Sequence, residues 1–205
     1  MPRCGWMGVI MIALIAGAND KTGKEMQAAL LEKKWQIYTA ESQLQPGIEG
    51  IDLLILNIDD KPIDDRRCIT DSLNYEEMQK TYDTITLKTL RLVACYLPFL
   101  EKGKLKRIAL VNSIESSNNI TNAIDGFAYS MSKAALNMMM SILMNRYRPE
   151  GYTFRVFCLD GCIENEGEYA VQYFLHDRSY EPDDLKHSDE NRLVMRNALE
   201  REYPW

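Results

Sequence analysis

Short apolar runs alternate with longer amphipathic segments along this chain of 205 residues. Continuous apolar runs of this length are typical of strands that are covered on both faces. Strands that alternate with helices predict an α/β fold, here a single Rossmann-like, doubly wound parallel sheet of about six strands. We expect these strands at Gly8–Ala16, Trp35–Ala40, Asp52–Ile58, Arg107–Asn112, Thr153–Leu159 and, at an edge, Arg192–Met195.

Helical spacing of apolar residues predicts helices over Thr22–Lys34, Tyr75–Leu100 and Ala128–Arg146, the second ending near Pro98. About a dozen residues separate Ala40 from Asp52, which suffices for a minimal crossover and leaves no room for an additional strand with two helices. We find no repeat or linker, and a chain of this length builds one sizeable core. The sequence therefore predicts one domain over residues 1–205 that lacks one edge strand.

The composition indicates a globular protein of the cytoplasm. The net charge is -6, which argues against a nucleic-acid partner. The apolar Gly8–Ala16 run resembles a short signal sequence, but it is far below the ~20 residues that span a bilayer and continues into a glycine turn, so a buried strand is favoured and no membrane partner is expected. Five cysteines in irregular spacing favour a reducing compartment.

A metal site is not expected. Cys158 and Cys162 lie four residues apart, and His176 and His187 are the chain's only histidines to complete a zinc site. This spacing matches no common set of zinc ligands.

Ser113, Tyr129 and Lys133 form a candidate acid–base set. Tyr129 and Lys133 lie four residues apart on a predicted helix, and Ser113 follows a predicted strand. A phenol has an ordinary pKa near ~10, and an ammonium one helical turn away favours the phenolate, so we expect Lys133 to lower the pKa of Tyr129. A surface tyrosine that simply pairs with Lys133 is the alternative.

Polar and glycine residues follow several of the predicted strands. Gly17, Asn57, Ser113 and Gly161 all come directly after a strand. Ligands of doubly wound sheets bind beyond the carboxyl ends of the strands, so we expect these residues to line one crevice.

These residues resemble the short-chain dehydrogenase/reductase family, and within it the small carbonyl reductases of the C-factor and sniffer-like branch. The strongest part is the segment VNSIESSNNITNAIDGFAYSMSKAALNM, from Val111 to Met138. There the family places a catalytic serine, a loop and Tyr-x-x-x-Lys on a helix. The resemblance implies that Ser113, Tyr129 and Lys133 are catalytic, and that Lys133 also holds the nicotinamide ribose.

The resemblance also implies a cofactor-binding turn after the first strand. The family reads Thr-Gly-x-x-x-Gly-x-Gly where this chain has AGANDKTG, so Gly17 and Gly23 match while Lys21 replaces the middle glycine. The implied cofactor-binding residues are Gly17, Asn19, Lys21, Thr22, Gly23, Glu41, Asn57, Lys133, Gly161 and Asn165. Asp20 brings a charge of the wrong sign for a phosphate, whereas the start of the helix at Thr22 offers free N–H groups.

Other positions depart from the family pattern. Of the family's Asn-Asn-Ala-Gly, here Leu-Asn-Ile-Asp ending at Asp59, only Asn57 matches. The helix asparagine that supports a water in the family's proton path is replaced by Ile85 or Thr86. The missing edge strand is the one that helps to wall the adenine pocket.

Glu41 lies just after the second predicted strand. A carboxylate there accepts hydrogen bonds from ribose hydroxyls and repels a 2′-phosphate, which favours NAD over NADP. Lys21 and Lys24 favour NADP instead, and a solvated loop glutamate explains Glu41 equally well.

Two functions follow from these patterns. The first is an NAD(P)-dependent oxidoreductase that transfers a hydride between nicotinamide and a small carbonyl or alcohol substrate. The second is a catalytically degenerate relative without a cofactor, which acts as a binding or regulatory scaffold.

Helices 75–100 and 128–146 carry apolar residues on more than one side, which predicts a homodimer through these helices, with a thick monomer core as the alternative. The segment 164–189 is expected to cover the crevice on the substrate side. Between Glu164 and His187 it contains Tyr169, Tyr173, Phe174 and Tyr180, which form either an aromatic pocket or part of the core.

Overall fold

A computed structural model describes residues 10–40, 48–60, 66–176 and 192–205. Its seven strands are β1 (Ile12–Ala16), β2 (Gln36–Thr39), β3 (Leu53–Leu56), β4 (Arg107–Ser113), β5 (Thr153–Leu159), β6 (Met195–Arg196) and β7 (Glu202–Tyr203). Its five helices are α1 (Lys21–Glu32), α2 (Tyr75–Tyr82), α3 (Lys88–Lys102), α4 (Phe127–Tyr147) and α5 (Glu166–Leu175).

The strands form one sheet in the order β2-β1-β3-β4-β5-β6-β7. The pairs from β2 through β6 are parallel, and β7 pairs with β6 antiparallel. The predicted α/β class is therefore confirmed. Within the described ranges β2 is the edge of the sheet, as expected from the short connection that follows it.

Both faces of the sheet are covered by helices. On β3, Leu54 joins the core under α3 and α4, while its neighbour Ile55 joins the core under α1 and α5. Successive strand residues point to opposite faces, so a strand buried on both sides must be apolar throughout. This requirement explains why the sequence shows continuous apolar runs rather than alternation.

The second predicted helix differs most from expectation. It continues through Pro98 to Lys102, so the predicted end near Pro98 is wrong. Pro98 is exposed, where water replaces the hydrogen bond that proline removes. The helix ends at Gly103, whose backbone is extended; a Cβ there would lie 1.9 Å from the carbonyl oxygen of Ile51, so the position has room only for glycine. A π-helical turn, Asp83–Leu87, separates α2 from α3.

The C-terminal strands were only partly predicted. The edge strand expected at Arg192–Met195 is Met195–Arg196, and β7 was not expected. Strands of two residues carry too little periodicity to be recognised, since their position depends on pairing with distant strands. No helix within the described part of the chain is long and apolar enough to cross a membrane.

Candidate active site

Strand β4 and helix α4 bring the three predicted catalytic residues together. Ser113 is the last residue of β4, and Tyr129 and Lys133 occupy successive turns of α4 near its start. All three are buried, Lys133 with 3% and Tyr129 with 5% of its surface exposed. The Lys133 ammonium lies 5.3 Å from the centre of the Tyr129 ring.

A buried amide network fixes α4 against the end of β4. The side-chain amide of Asn112 donates to the Lys133 carbonyl oxygen at 3.1 Å and to Oδ1 of Asn137 at 2.6 Å. Its own Oδ1 accepts from the backbone N–H of Ser113 at 3.0 Å. The sequence analysis did not single out Asn112 or Asn137, although an amide inside an apolar strand was a signal for such a network.

The hydroxyl of Ser113 is the exception to this pairing. Among the described residues its Oγ is the buried side-chain oxygen or nitrogen that has no hydrogen-bond partner. Buried polar groups are almost always paired, so an orphaned hydroxyl at a site of this kind indicates a place for a ligand oxygen.

Asp59 enters the site from the end of β3. The Tyr129 hydroxyl donates to Oδ1 of Asp59 at 2.7 Å, and the Lys133 ammonium lies 3.0 Å from the same oxygen. Lys133 also donates to the carbonyl oxygen of Ile58 at 3.1 Å. Sequence reasoning noted that the family pattern fails at Asp59 but missed its role, because neither spacing nor periodicity shows where a loop side chain points.

These contacts reverse the expected acidity of the phenol. Burial, the charge of Asp59 and its hydrogen bond raise the pKa of Tyr129 far above its ordinary value. The expectation that Lys133 lowers this pKa is therefore wrong. Burial lowers the pKa of Lys133 itself, and the charge of Asp59 counteracts that shift.

The helix position that the resemblance gives to an asparagine is occupied by an apolar side chain or by a hydroxyl that bonds within the protein. Ile85 is buried, and the Thr86 hydroxyl donates to the carbonyl oxygen of Ser132 at 3.0 Å. Both residues lie in the π-helical turn. Neither supplies the asparagine that the resemblance places there.

The turn between β1 and α1 is held by the chain's own groups. Gly17 has φ +78°, and a Cβ on it would lie 1.7 Å from the carbonyl oxygen of Asn57. The Asn57 amide donates to the Gly17 carbonyl oxygen at 2.8 Å and to Oδ2 of Asp20 at 3.0 Å. Asp20 caps α1 by accepting from the Gly23 N–H at 2.6 Å.

This turn fits a dinucleotide only in part. Gly17, Asn57 and Gly23 pack closely, and the exposed Asn19 and Lys21 with the half-buried Thr22 surround the start of α1. Helix N-termini bind phosphate through free N–H groups, but here Asp20 already uses that of Gly23 and adds a negative charge. Lys21 offers a compensating positive charge, 3.7 Å from Glu25.

The remaining predicted cofactor residues lie beyond β5 or outside the described residues. Gly161 follows β5 with φ +69°, and Asn165 precedes α5 with φ +58°. Glu41 lies outside the described residues. Of the two alternatives for the aromatic residues, Tyr173 and Phe174 pack in the core, whereas Tyr169 is 40% exposed. Tyr180 also lies outside the described residues.

Asp160 anchors the C-terminal segment. Its Oδ2 accepts from the Tyr203 hydroxyl at 2.6 Å and from the Asn197 amide at 2.7 Å. Burial pushes the pKa of Asp160 upward, but hydrogen bonds from Cys162, Tyr203 and Asn197 outweigh burial and hold this pKa well below its usual range. Ligand atoms of Asp160, Cys162 and Glu166 lie within 4.8 Å of one another. Within this cluster, Glu166 accepts from the backbone N–H of Asp160 at 3.2 Å, and Asp160 accepts from the backbone N–H of Cys162 at 3.1 Å.

Comparison with known proteins supports the same assignment of the fold. No family model matches the chain. The C-signal protein of Myxococcus xanthus is 36% identical over 85 residues, which make up 42% of this chain and 51% of that protein. The match thus spans about half the length of this curated relative.

Solved structures match over nearly the whole chain. The carbonyl reductase Sniffer of D. melanogaster has a TM-score of 0.74 at 18% identity, covering 96% of this chain and 100% of that one. A carbonyl reductase from Pseudomonas aeruginosa PAO1 in complex with NADP has a TM-score of 0.69 at 17% identity, with the same coverage. The chain therefore has the fold of these carbonyl reductases, which is the fold that the resemblance to the short-chain dehydrogenase/reductase family predicted.

Proposed function

We propose that this protein is an NAD(P)-dependent oxidoreductase of the short-chain type, which transfers a hydride between nicotinamide and a small carbonyl or alcohol substrate. The observation that carries the proposal is the buried Ser113 hydroxyl, which lacks a partner in a site that also holds Tyr129 and Lys133. An oxygen of the substrate supplies the missing partner. The solved structures support the fold on which this proposal rests.

Each side chain has a distinct task. Ser113 orients the substrate oxygen and stabilises charge that develops on it. Tyr129 holds or moves the proton at that oxygen. Lys133, together with the turn from Gly17 to Gly23, would hold the cofactor, whose nicotinamide gives or takes the hydride.

We propose NAD rather than NADP as the cofactor. The position of Glu41 in the sequence, just after the second predicted strand, supports it, because a carboxylate at that end would repel a 2′-phosphate, while Lys21 and Lys24 favour the phosphorylated form. One matching structure contains NADP, so both cofactors belong in the test. We also propose one domain over residues 1–205, a cytoplasmic location, and a substrate-side role for the segment 164–189, of which residues 177–189 lie outside the described part of the chain.

The test is oxidation of NADH and NADPH by the purified protein with a panel of small carbonyl compounds. We expect turnover that Tyr129→Phe lowers at least ~100-fold, because the phenol proton is lost. Tyr75→Phe is the matched control, since Tyr75 is 70% exposed at the start of α2. Equal turnover by wild type and Tyr129→Phe would contradict the proposal.

A binding or regulatory scaffold is the second candidate. It is favoured by two carboxylates, since Asp59 takes the hydrogen bonds of Tyr129 and Lys133 and Asp20 caps α1. This candidate predicts that calorimetry detects no binding of NAD(H) or NADP(H). A micromolar dissociation constant for either cofactor would contradict it.

We propose a homodimer through helices 75–100 and 128–146. Exposed apolar residues on these helices support it: Leu90 is 42% exposed, and Met131, Met138 and Ile142 share a stripe on α4 with 58–63% exposed. Light scattering at micromolar concentration should give the mass of two chains, and Met138→Asp should give that of one. Leu31→Asp on α1 is the control, and a monomeric wild type would contradict the dimer.

A further inference from the structure

We propose that Asp59 is a fourth member of the catalytic centre, which accepts the proton of Tyr129 and releases it to water. This inference rests on the proposed oxidoreductase function. Asp59 stands where the family pattern has a glycine. It would provide a path for the proton in a site that lacks the helix asparagine of the family's proton path.

The geometry joins a buried phenol to the solvent in one step. Oδ1 of Asp59 lies 2.7 Å from the Tyr129 hydroxyl, within the range for proton transfer along a hydrogen bond. The Tyr129 residue is 5% exposed, whereas the Asp59 side chain is 48% exposed. Asp59 therefore reaches from the interior, where the proton is exchanged, to water, where it is released.

Lys133 fixes the carboxylate in place. Its ammonium lies 3.0 Å from the same Asp59 oxygen that accepts from Tyr129, and it also donates to the Ile58 carbonyl oxygen. The ion pair compensates the burial of Lys133 and holds Oδ1 towards the phenol. Asp59 thus contacts both residues of the acid–base pair.

The route through the neighbouring helix is blocked by its side chains. Ile85 carries no polar group, and the hydroxyl of Thr86 is used by the Ser132 carbonyl oxygen. A proton moving from Tyr129 in that direction meets the packed side of α4 against the π-helical turn. Asp59 offers the shorter path.

The proton transfers balance in the direction of alcohol oxidation. The hydroxyl proton of the substrate passes to Oη of Tyr129 as the phenol's own proton passes to Oδ1 of Asp59. The carbon that bears this hydroxyl loses a hydride to a nicotinamide cofactor. Tyr129 remains neutral throughout, which agrees with its raised pKa. Carbonyl reduction is the reverse and requires a protonated Asp59.

The charges around this pair set its pH dependence. Lys133 faces it from α4, Glu115 from the segment after β4, and Asp20 from the cap of α1. Protonation of Asp59 removes the acceptor, so alcohol oxidation should fall as the solution becomes acidic. The charges of Glu115 and Asp20 act on the Tyr129 and Lys133 pair and are expected to move the midpoint of this fall.

Asp59→Asn is the decisive variant, because the amide oxygen still accepts the hydrogen bond but cannot take up the proton. We expect kcat for alcohol oxidation to fall about 100-fold with an unchanged KM. The control is Asp60→Asn, the neighbouring carboxylate, which should leave both constants unchanged. If Asp59 served only to keep Lys133 charged, the activity of Asp59→Asn would recover at lower pH.

A second readout needs neither cofactor nor turnover. In protein labelled at the tyrosine Cζ with carbon-13, the Tyr129 signal, assigned with Tyr129→Phe, should show an inflection on acidification as Asp59 takes up a proton. Asp59→Asn should lose this inflection, and Asp60→Asn should keep it.

The two failures are distinguishable. An inflection that survives in Asp59→Asn, or activity of this variant that recovers in acid, would overturn the role of Asp59. The other outcome is an inflection that depends on Asp59 in a protein that oxidises neither NADH nor NADPH. That result would support the proton-accepting pair of Tyr129 and Asp59 and would contradict the oxidoreductase function.

Discussion

The two halves of the candidate site differ in how far they follow the family pattern. At the ends of β4 and α4, Ser113, Tyr129 and Lys133 stand where the resemblance places them. At the ends of β1 and β3, Lys21 and Asp59 replace glycines. The first half has the groups that we propose to act on a substrate oxygen, and the second differs from the family pattern in the groups that would surround a cofactor.

This difference shows that the fold and the cofactor site impose separate requirements. Gly17 remains a glycine because Asn57 leaves no space for a Cβ, whether or not a cofactor binds. Position 21 has no such constraint, since the Lys21 side chain is 79% exposed. Substitution has therefore occurred where packing permits it, and the surviving glycines by themselves are weak support for dinucleotide binding.

The largest expected effect separates activity from stability at Ser113. Ser113→Ala should lower kcat ~100- to 1000-fold, because a donor to the developing oxyanion is lost. It should leave the free energy of unfolding unchanged or slightly raised, since the orphaned buried hydroxyl is removed.

The matched control for Ser113 is Ser116→Ala. The Ser116 hydroxyl donates to the Ser113 carbonyl oxygen at 2.7 Å and accepts from the Asn137 amide at 3.1 Å. Its loss should lower the free energy of unfolding by about 1 kcal/mol, measured by urea denaturation. If both variants lose equal stability, the Ser113 hydroxyl is a structural group and the contrast between the two halves fails.

Gly17→Ala should show that the cofactor half is constrained by packing. We expect it to lower the free energy of unfolding by about 3 kcal/mol more than Gly161→Ala. Both glycines have positive φ, but a Cβ at Gly161 would meet nothing within 4 Å. Comparable urea midpoints for the two variants would contradict the close approach of Gly17 to Asn57.

Most of the fold could be predicted from the sequence, because it depends on local patterns. Strand β5 was predicted to the residue, and α4 differs by one residue at each end. The end of α3 lies beyond the one predicted near Pro98, because a proline in a helical pattern usually marks the end of the helix. A lone proline on an exposed helix face does not stop a helix that is packed on its other side.

The candidate site also has a part that could be predicted from the sequence and a part that could not. The placement of Ser113, Tyr129 and Lys133 follows from strand and helix positions, so motif spacing sufficed to bring them together. The position of the Asp59 carboxylate depends on the path of a loop beyond β3. The acidity of Tyr129 then depends on that carboxylate and on burial, neither of which a spacing of four residues contains.

A smaller, pH-dependent effect is expected where Asp160 anchors the C-terminal segment beyond β5. Tyr203→Phe should lower the free energy of unfolding by about 1 kcal/mol at pH 7, because Asp160 loses a hydrogen bond. The pKa of Asp160 is lowered in the folded protein, so the stability it contributes is present above pH ~4 and is lost as the pH falls. The difference in the free energy of unfolding between wild type and Tyr203→Phe should therefore become smaller at acidic pH.

The same bond raises the pKa of Tyr203 to about 12. A group with a raised pKa contributes stability that is present below its ordinary value of ~10 and lost above it, so the gap should narrow in alkali as well. Urea denaturation between pH 3 and pH 11 measures this difference at the acidic and the alkaline end, with Tyr75→Phe as the control. The absence of a gap at every pH would show that Tyr203 stabilises by packing alone, and a gap that stays constant would contradict a contribution that depends on the charge of Asp160.

The smallest effect tests the charge that replaces the middle glycine. Lys21→Ala should change the free energy of unfolding by less than ~0.5 kcal/mol, because its ion pair with Glu25 is exposed. If the start of α1 receives a cofactor phosphate, the same variant should weaken NAD(H) binding about 2- to 5-fold in calorimetry at low salt. Lys24→Ala, an exposed lysine one turn further along α1, should weaken it less. Equal losses for the two lysines would mean that Lys21 acts only through net charge, and the cofactor half would then offer no specific phosphate contact from this side chain.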